Sequence, residues 1–146
     1  MGGGMPIGAF ISSKEIMKVL SHHPVLGHIT TFGGHPVSCA ASLATITVLR
    51  RENFIQEAKK KGELFREKLR HQDILEIRNA GLMMAVELES FDRLQKVIKR
   101  CLEKGLVTDW FLFNDRSMRI APPLNISEEE IEWACKTINE ALDYTG

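Results

Sequence analysis

Apolar positions along the chain fall into segments of two different periods. The run Pro6-Ile7-Gly8-Ala9-Phe10-Ile11-Ser12 is short and nearly continuous, and predicts a buried strand. Ser12 or Ser13 then offers a side-chain oxygen to the first turn of a short helix over residues 14–20. Residues 21–36 show neither period. They are dense in His, Gly and Pro and predict a long loop, of the kind that usually carries function in a compact domain. Residues 37–52 predict a helix unusually rich in small residues, among them Ser38, Cys39, Ala40, Ala41, Ser42, Ala44 and Thr45. It is apolar nearly all round, which predicts burial and room for another backbone to approach closely.

After a break near Asn53 the helical period returns. Phe54, Ile55, Ala58, Leu64, Phe65 and Leu69 mark one face of a helix over residues 54–71, with Lys59-Lys60-Lys61 as a solvated side. Residues 74–78 and 82–88 read as strands around Asn79-Ala80-Gly81; the second is almost continuously apolar, so one face of its sheet must be covered. Leu94, Val97, Ile98, Cys101 and Leu102 line one side of a helix over residues 91–103, and Gly105 stands where a left-handed glycine stops it. Residues 106–113 predict a strand, Asn114-Asp115-Arg116-Ser117 a turn, and Met118-Arg119-Ile120 a return strand ended by Pro122-Pro123. Ser127 with Glu130 three residues on forms a capping box that opens a last helix to about Tyr144.

The element order is that of an α/β or α+β protein without internal repeats. Residues 1–52, rich in glycine and small side chains, look built to pack on something else. Residues 53–146 read as a self-contained antiparallel sheet covered by helices.

Composition narrows the function classes. A chain of 146 residues, 44% hydrophobic and 26% charged, is an ordinary globular domain able to bury a real core. Nineteen Lys and Arg balance nineteen Asp and Glu, so no net field favours nucleic acid or an anionic membrane surface. The longest apolar runs fall well short of the roughly 18 residues of a membrane span, and the N-terminal residues lack a signal-peptide pattern. Cys39, Cys101 and Cys135 are odd in number and lack CxxC spacing, which favours a reducing cytoplasm over a disulfide framework.

Candidate chemistry is sparse. Four of the five histidines, His22, His23, His28 and His35, lie in one loop, but their spacing matches no common metal-ligand pattern. Gly2-Gly3-Gly4 and Gly33-Gly34 are glycine pairs and triplets without a full phosphate-binding motif. Thr31 places a hydroxyl beside Phe32 and a Gly-Gly turn, ahead of a helix whose free N–H groups favour an anion; a simple loop hydroxyl is the alternative. Arg119 sits in an apolar strand, where a guanidinium needs a planar acceptor. A substrate carboxylate and a structural salt bridge serve equally well. No catalytic dyad or triad emerges from spacing.

Three stretches, in order, are similar to a known family: Gly2-Gly3-Gly4-Met5-Pro6-Ile7-Gly8-Ala9; Thr30-Thr31-Phe32-Gly33-Gly34-His35-Pro36 with the small-residue helix; and Met118-Arg119-Ile120-Ala121-Pro122-Pro123-Leu124-Asn125-Ile126 before the acidic cap. The chain resembles the C-terminal portion of class III aminotransferases, pyridoxal-phosphate enzymes of fold type I. The resemblance implies that residues 1–52 end the cofactor-binding large domain, with its last strand and helices, and that residues 53–146 form the C-terminal small domain. It implies pyridoxal 5'-phosphate as cofactor, an amino acid and a 2-oxo acid as substrates, and a homodimer. Thr31 resembles the threonine that reaches the cofactor phosphate of the neighbouring subunit, Gly3 and Gly4 line the cofactor loop, and Arg119 resembles the arginine that grips the substrate carboxylate. His35 stands where many relatives carry Asn. The family's Schiff-base lysine would precede Met1, so no catalytic residue and no metal ligand is expected in this chain. A C-terminal fragment, inactive alone, is the expectation, most like the acetylornithine, ornithine and lysine ω-aminotransferases. A naturally truncated, non-catalytic dimerisation or binding module is the alternative.

Overall fold

A computed structural model describes residues 1–25 and 27–144. It divides into two compact units, Met1–Glu52 and Asn53–Gly146. The first unit carries α1 (Lys14–Lys18), which runs into a 3-10 turn over Val19–Ser21, and α2 (Pro36–Arg51). Ser13 caps α1, accepting the Ile16 N–H at 3.4 Å. His35 caps α2 through Nδ1, which accepts the Val37 N–H at 3.3 Å, and Pro36 follows at a position that needs no donor.

Two expectations fail here. Residues 6–12 are irregular, not a strand, and Phe10 and Ile11 are exposed. A strand requires a neighbour for its N–H and C=O groups, and the described residues of this unit contain no other strand. The helix α2 forms as predicted but is not buried all round: Ser38 and Ser42 are its buried residues, while Leu43 is 68% exposed. Small residues on one side let the chain pack tightly there, and the larger apolar side chains point away from the unit.

The second unit is a four-stranded antiparallel sheet with helices. Asn53, in the left-handed region (φ 56°), breaks the chain before α3 (Phe54–Lys68). Then come β1 (Glu76–Ala80), β2 (Met83–Glu87), α4 (Phe91–Glu103), β3 (Asp109–Phe111), β4 (Asn114–Ile120) and α5 (Glu128–Tyr144), with strand order β1-β2-β4-β3. Alternation decides which strand residues face inward. Met84 and Val86 of β2 and Met118 and Ile120 of β4 point into a core shared with Phe65, Leu69, Leu94, Val97, Ile131, Ile138 and Leu142. One cation is buried with them: Arg93 Nε donates to Asp73 Oδ2 at 3.1 Å and Nη2 to the Leu142 carbonyl at 2.6 Å, tying the start of α4 to the end of α5. The capping box of α5 forms in both directions, Ser127 N–H to Glu130 Oε2 at 2.8 Å and Glu130 N–H to Ser127 Oγ at 3.1 Å.

The second hairpin departs from expectation. The strand predicted over residues 106–113 shrinks to β3, and the predicted turn Asn114-Asp115-Arg116-Ser117 lies inside β4. Leu112 and Phe113 make the connection instead, with a register shift at Trp110/Phe111. The local turn chemistry is still present, since Asn114 Oδ1 accepts the Arg116 N–H at 3.2 Å. Ladder pairing of β4 with β2 and burial of Ser117 and Met118 override it.

Candidate functional site

Arg119 lies near the end of β4, opposite Ala85 of β2 on one side and Asp109 of β3 on the other. Its neighbours Met118 and Ile120 face the core, so the pleat turns Arg119 outward, where its side chain is 45% exposed. Its Nη2 donates to Asp109 Oδ2 at 2.5 Å. Thr108 Oγ1 donates to the Arg119 carbonyl at 2.7 Å and fastens β3 to β4 at this level. Arg119 stands in the wall of a cavity of about 490 Å³, with Phe65, Pro122, Ile126, Trp133 and Ile138 among its apolar walls. Beyond the Pro-Pro turn, Lys61 Nζ donates to the Leu124 carbonyl at 3.2 Å, so this lysine anchors the segment after Arg119 rather than only solvating α3. A guanidinium held on one side and open to a cavity can take a planar carboxylate on its remaining donors.

Asp109, Thr108 and Lys61 are invisible to sequence reasoning. A turn over residues 114–117 would place Leu112 opposite Arg119; only the observed register brings Asp109 there.

Arg78 and Arg116 are already engaged elsewhere on the sheet. Arg78 donates to Glu87 at 2.7 Å and to Ser117 Oγ at 3.1 Å, and Arg116 to the other Glu87 oxygen at 2.9 Å. The Arg78 hydrogen bond holds the Glu87 carboxyl below the usual carboxylate range.

Gly3, Gly4 and Thr31 belong to the first unit, Arg119 to the second. Gly2 to Met5 form a turn closed by Met5 N–H to the Gly2 carbonyl at 3.0 Å, with positive φ at Gly3 (54°) and Gly4 (97°). A Cβ on Gly3 would strike the Thr45 hydroxyl of α2, whereas one on Gly4 would meet nothing within 4 Å. The backbone at Gly4 is therefore bare and open. Thr31 is exposed in a pair of turns closed by Gly33 N–H to Thr30 O (3.3 Å) and His35 N–H to Phe32 O (3.2 Å), which lead into the N-terminus of α2. Of the loop histidines, His28 bonds the Leu20 carbonyl through Nδ1 at 2.9 Å and His35 caps α2.

The family model for aminotransferase class-III matches residues 1–142. The chain belongs to the class III aminotransferases. Enzymes of this class depend on pyridoxal phosphate, and the second unit's helices and antiparallel sheet match the C-terminal domain fold of aminotransferases. Among solved structures, the chain is similar to the ornithine aminotransferase of Toxoplasma gondii, at 34% identity and TM-score 0.76, covering 90% of this chain and 31% of that one. It is similar to an aminotransferase of Bacillus anthracis, at 29% identity and TM-score 0.80, covering 90% and 34%. A third is the adenosylmethionine-8-amino-7-oxononanoate aminotransferase of Methanocaldococcus jannaschii, at 27% identity and TM-score 0.72, covering 82% and 30%. This class III chain thus spans about a third of the length of the solved structures it matches. Among the described residues, no helix is long and apolar enough to cross a membrane.

Proposed function

We propose that the chain supplies the C-terminal share of an amino-transfer site, with residues 1–52 ending the cofactor-binding large domain and residues 53–146 forming the small domain. The reaction would move an amino group from an amino acid, or an ω-amino compound such as ornithine or acetylornithine, to a 2-oxo acid. The observation that carries this reading is Arg119: a half-exposed guanidinium, fixed by its strand register and open to an apolar cavity, placed to bind and orient a substrate carboxylate.

The residues of the first unit fit a phosphate-bearing cofactor. The bare backbone at Gly4 leaves space that a side chain would fill, and Thr31 presents a free-standing hydroxyl ahead of a helix N-terminus. In this reading Gly3 and Gly4 line the cofactor loop, and the Thr31 hydroxyl donates to the phosphate of the partner subunit in a homodimer. Bound pyridoxal phosphate supplies the electron sink for the chemistry. Among the described residues no lysine lines the Arg119 cavity, and the chain by itself is proposed to be inactive. A reducing cytoplasm suits its three free thiols.

The test uses the 146-residue chain with Trp110 replaced by Phe, so that Trp133 in the cavity wall is the reporter. Glutarate should change the Trp133 fluorescence saturably, and Arg119→Gln should abolish the response. An equal response in both proteins would overturn the carboxylate reading, and turnover of an amino donor by the purified chain would overturn its inactivity.

A further inference from the structure

Lys59-Lys60-Lys61 reads as one solvated stretch of α3, but the structure separates its members. Lys60 is exposed and pairs with Glu57, three residues earlier, at 2.7 Å. Lys61 is partly buried and reaches a distant segment, its Nζ donating to the Leu124 carbonyl at 3.2 Å. That carbonyl lies inside a turn closed by the Ile126 N–H to the Pro123 carbonyl at 3.0 Å. The turn follows Arg119 by way of Pro122 and Pro123, neither of which has an N–H to anchor it. One helical turn after Lys61, buried Phe65 forms a wall of the Arg119 cavity, and Pro122, Pro123 and Ile126 form three more. The same face of α3 therefore supplies one wall directly and fastens the segment that supplies the others.

We infer that Lys61 is a positioning residue: its ammonium pins the turn after Arg119 to α3 and so fixes the cavity onto which the guanidinium opens. The inference rests on the reading of Arg119 as the carboxylate site. Among the described residues Lys61 does not line the cavity, so it acts through the turn and not on the ligand. A segment with two adjacent prolines has few backbone donors of its own, and a side chain from another element takes over the task of holding it. A charged donor makes a stronger hydrogen bond than a neutral one, which suits a tether formed by one contact. Any freedom that the arginine and its surrounding walls keep in the free protein is lost when a carboxylate binds, and that loss weakens binding. Lys61 removes part of that freedom beforehand.

The experiment measures the glutarate midpoint from Trp133 fluorescence in the 146-residue chain carrying Trp110→Phe. Lys61→Met keeps a long side chain and a good helix former in α3, so the fold is retained while the donor is removed. Its midpoint should rise roughly three- to tenfold, the range set by the loss of one hydrogen bond. Lys61→Arg, which keeps charge and donors, should restore the midpoint towards the parent value. Lys60→Met removes the same charge from the neighbouring position and should leave the midpoint unchanged. By NMR, the Leu124 carbonyl carbon should move to lower frequency in Lys61→Met, as expected when a carbonyl loses a hydrogen bond, and stay in place in Lys60→Met. An unchanged midpoint in Lys61→Met, no rescue by Lys61→Arg, or an equal rise in Lys60→Met would overturn the role of Lys61 and leave Arg119 as the carboxylate site. A parent chain indifferent to glutarate would overturn the Arg119 reading itself, and the role of Lys61 with it.

Discussion

Replacing Gly62 by Ala sets two effects against each other, and the structure decides the winner. Gly62 lies within α3, where alanine is favoured over glycine by about 1 kcal/mol, so propensity alone predicts a more stable protein. A Cβ at this position would fall inside contact distance of the Gly81 carbonyl oxygen, 2.8 Å from the Gly81 carbonyl carbon and 2.9 Å from Asn79 Nδ2. Gly81 cannot easily yield. It occupies the β1–β2 turn at φ +60°, its carbonyl accepts the Asn79 side-chain amide at 3.2 Å, and Ala58 of α3 lies behind it. The obstacle is backbone rather than the end of a flexible side chain, which puts the overpacking cost near the top of its usual range, about 3 kcal/mol. After the propensity gain the net loss is about 2 kcal/mol. Urea unfolding followed by circular dichroism should show the midpoint of Gly62→Ala falling by roughly 1 M at unchanged slope. A midpoint equal to or above that of the parent would show that α3 does not rest on the turn as described.

Two further outcomes follow from burial and charge. Burial pushes the Cys101 thiol up to about 11 and the Cys135 thiol up to about 12, whereas Cys39 is exposed; a chromogenic disulfide reagent at pH 8 should therefore titrate one thiol rapidly in the native chain and three in denaturant, and three rapid equivalents would contradict the packing. Glu87 is held below its ordinary value of 4.5 chiefly by its Arg78 hydrogen bond, so its contribution to stability is full above that value and is lost as pH falls through the lower folded one. Thermal unfolding at pH 7 and pH 3 should show a smaller acid loss in Arg78→Met than in the parent, and an equal loss would remove this pair from the explanation.

Helices were legible wherever a local signal agreed with a buried stripe. The apolar positions of α4, the glycine that follows it and the reciprocal Ser127–Glu130 cap are all encoded within a few residues, and the structure returns them at their expected places. The failures share one cause. Residues 6–12 had strand composition but found no neighbouring strand, and the Asn114-Asp115-Arg116-Ser117 segment had turn composition but was drawn into the β4 ladder. Pairing is non-local, and no spacing within one segment reports it.

The candidate site divides along the same line. By itself the sequence determined that an arginine would stand in an apolar strand before a Pro-Pro turn, that a threonine would precede a capped helix, and that the whole resembled one enzyme family. Those are properties of residues near one another in the chain. Only the tertiary structure decided that Asp109 faces Arg119, that Thr108 ties the Arg119 carbonyl and Lys61 the Leu124 carbonyl beyond it, and that a cavity opens beside the guanidinium. Each of these depends on strand register and on packing between distant segments, and a shift of a few residues in the β3–β4 connection would have given Arg119 a different partner and a different chemistry.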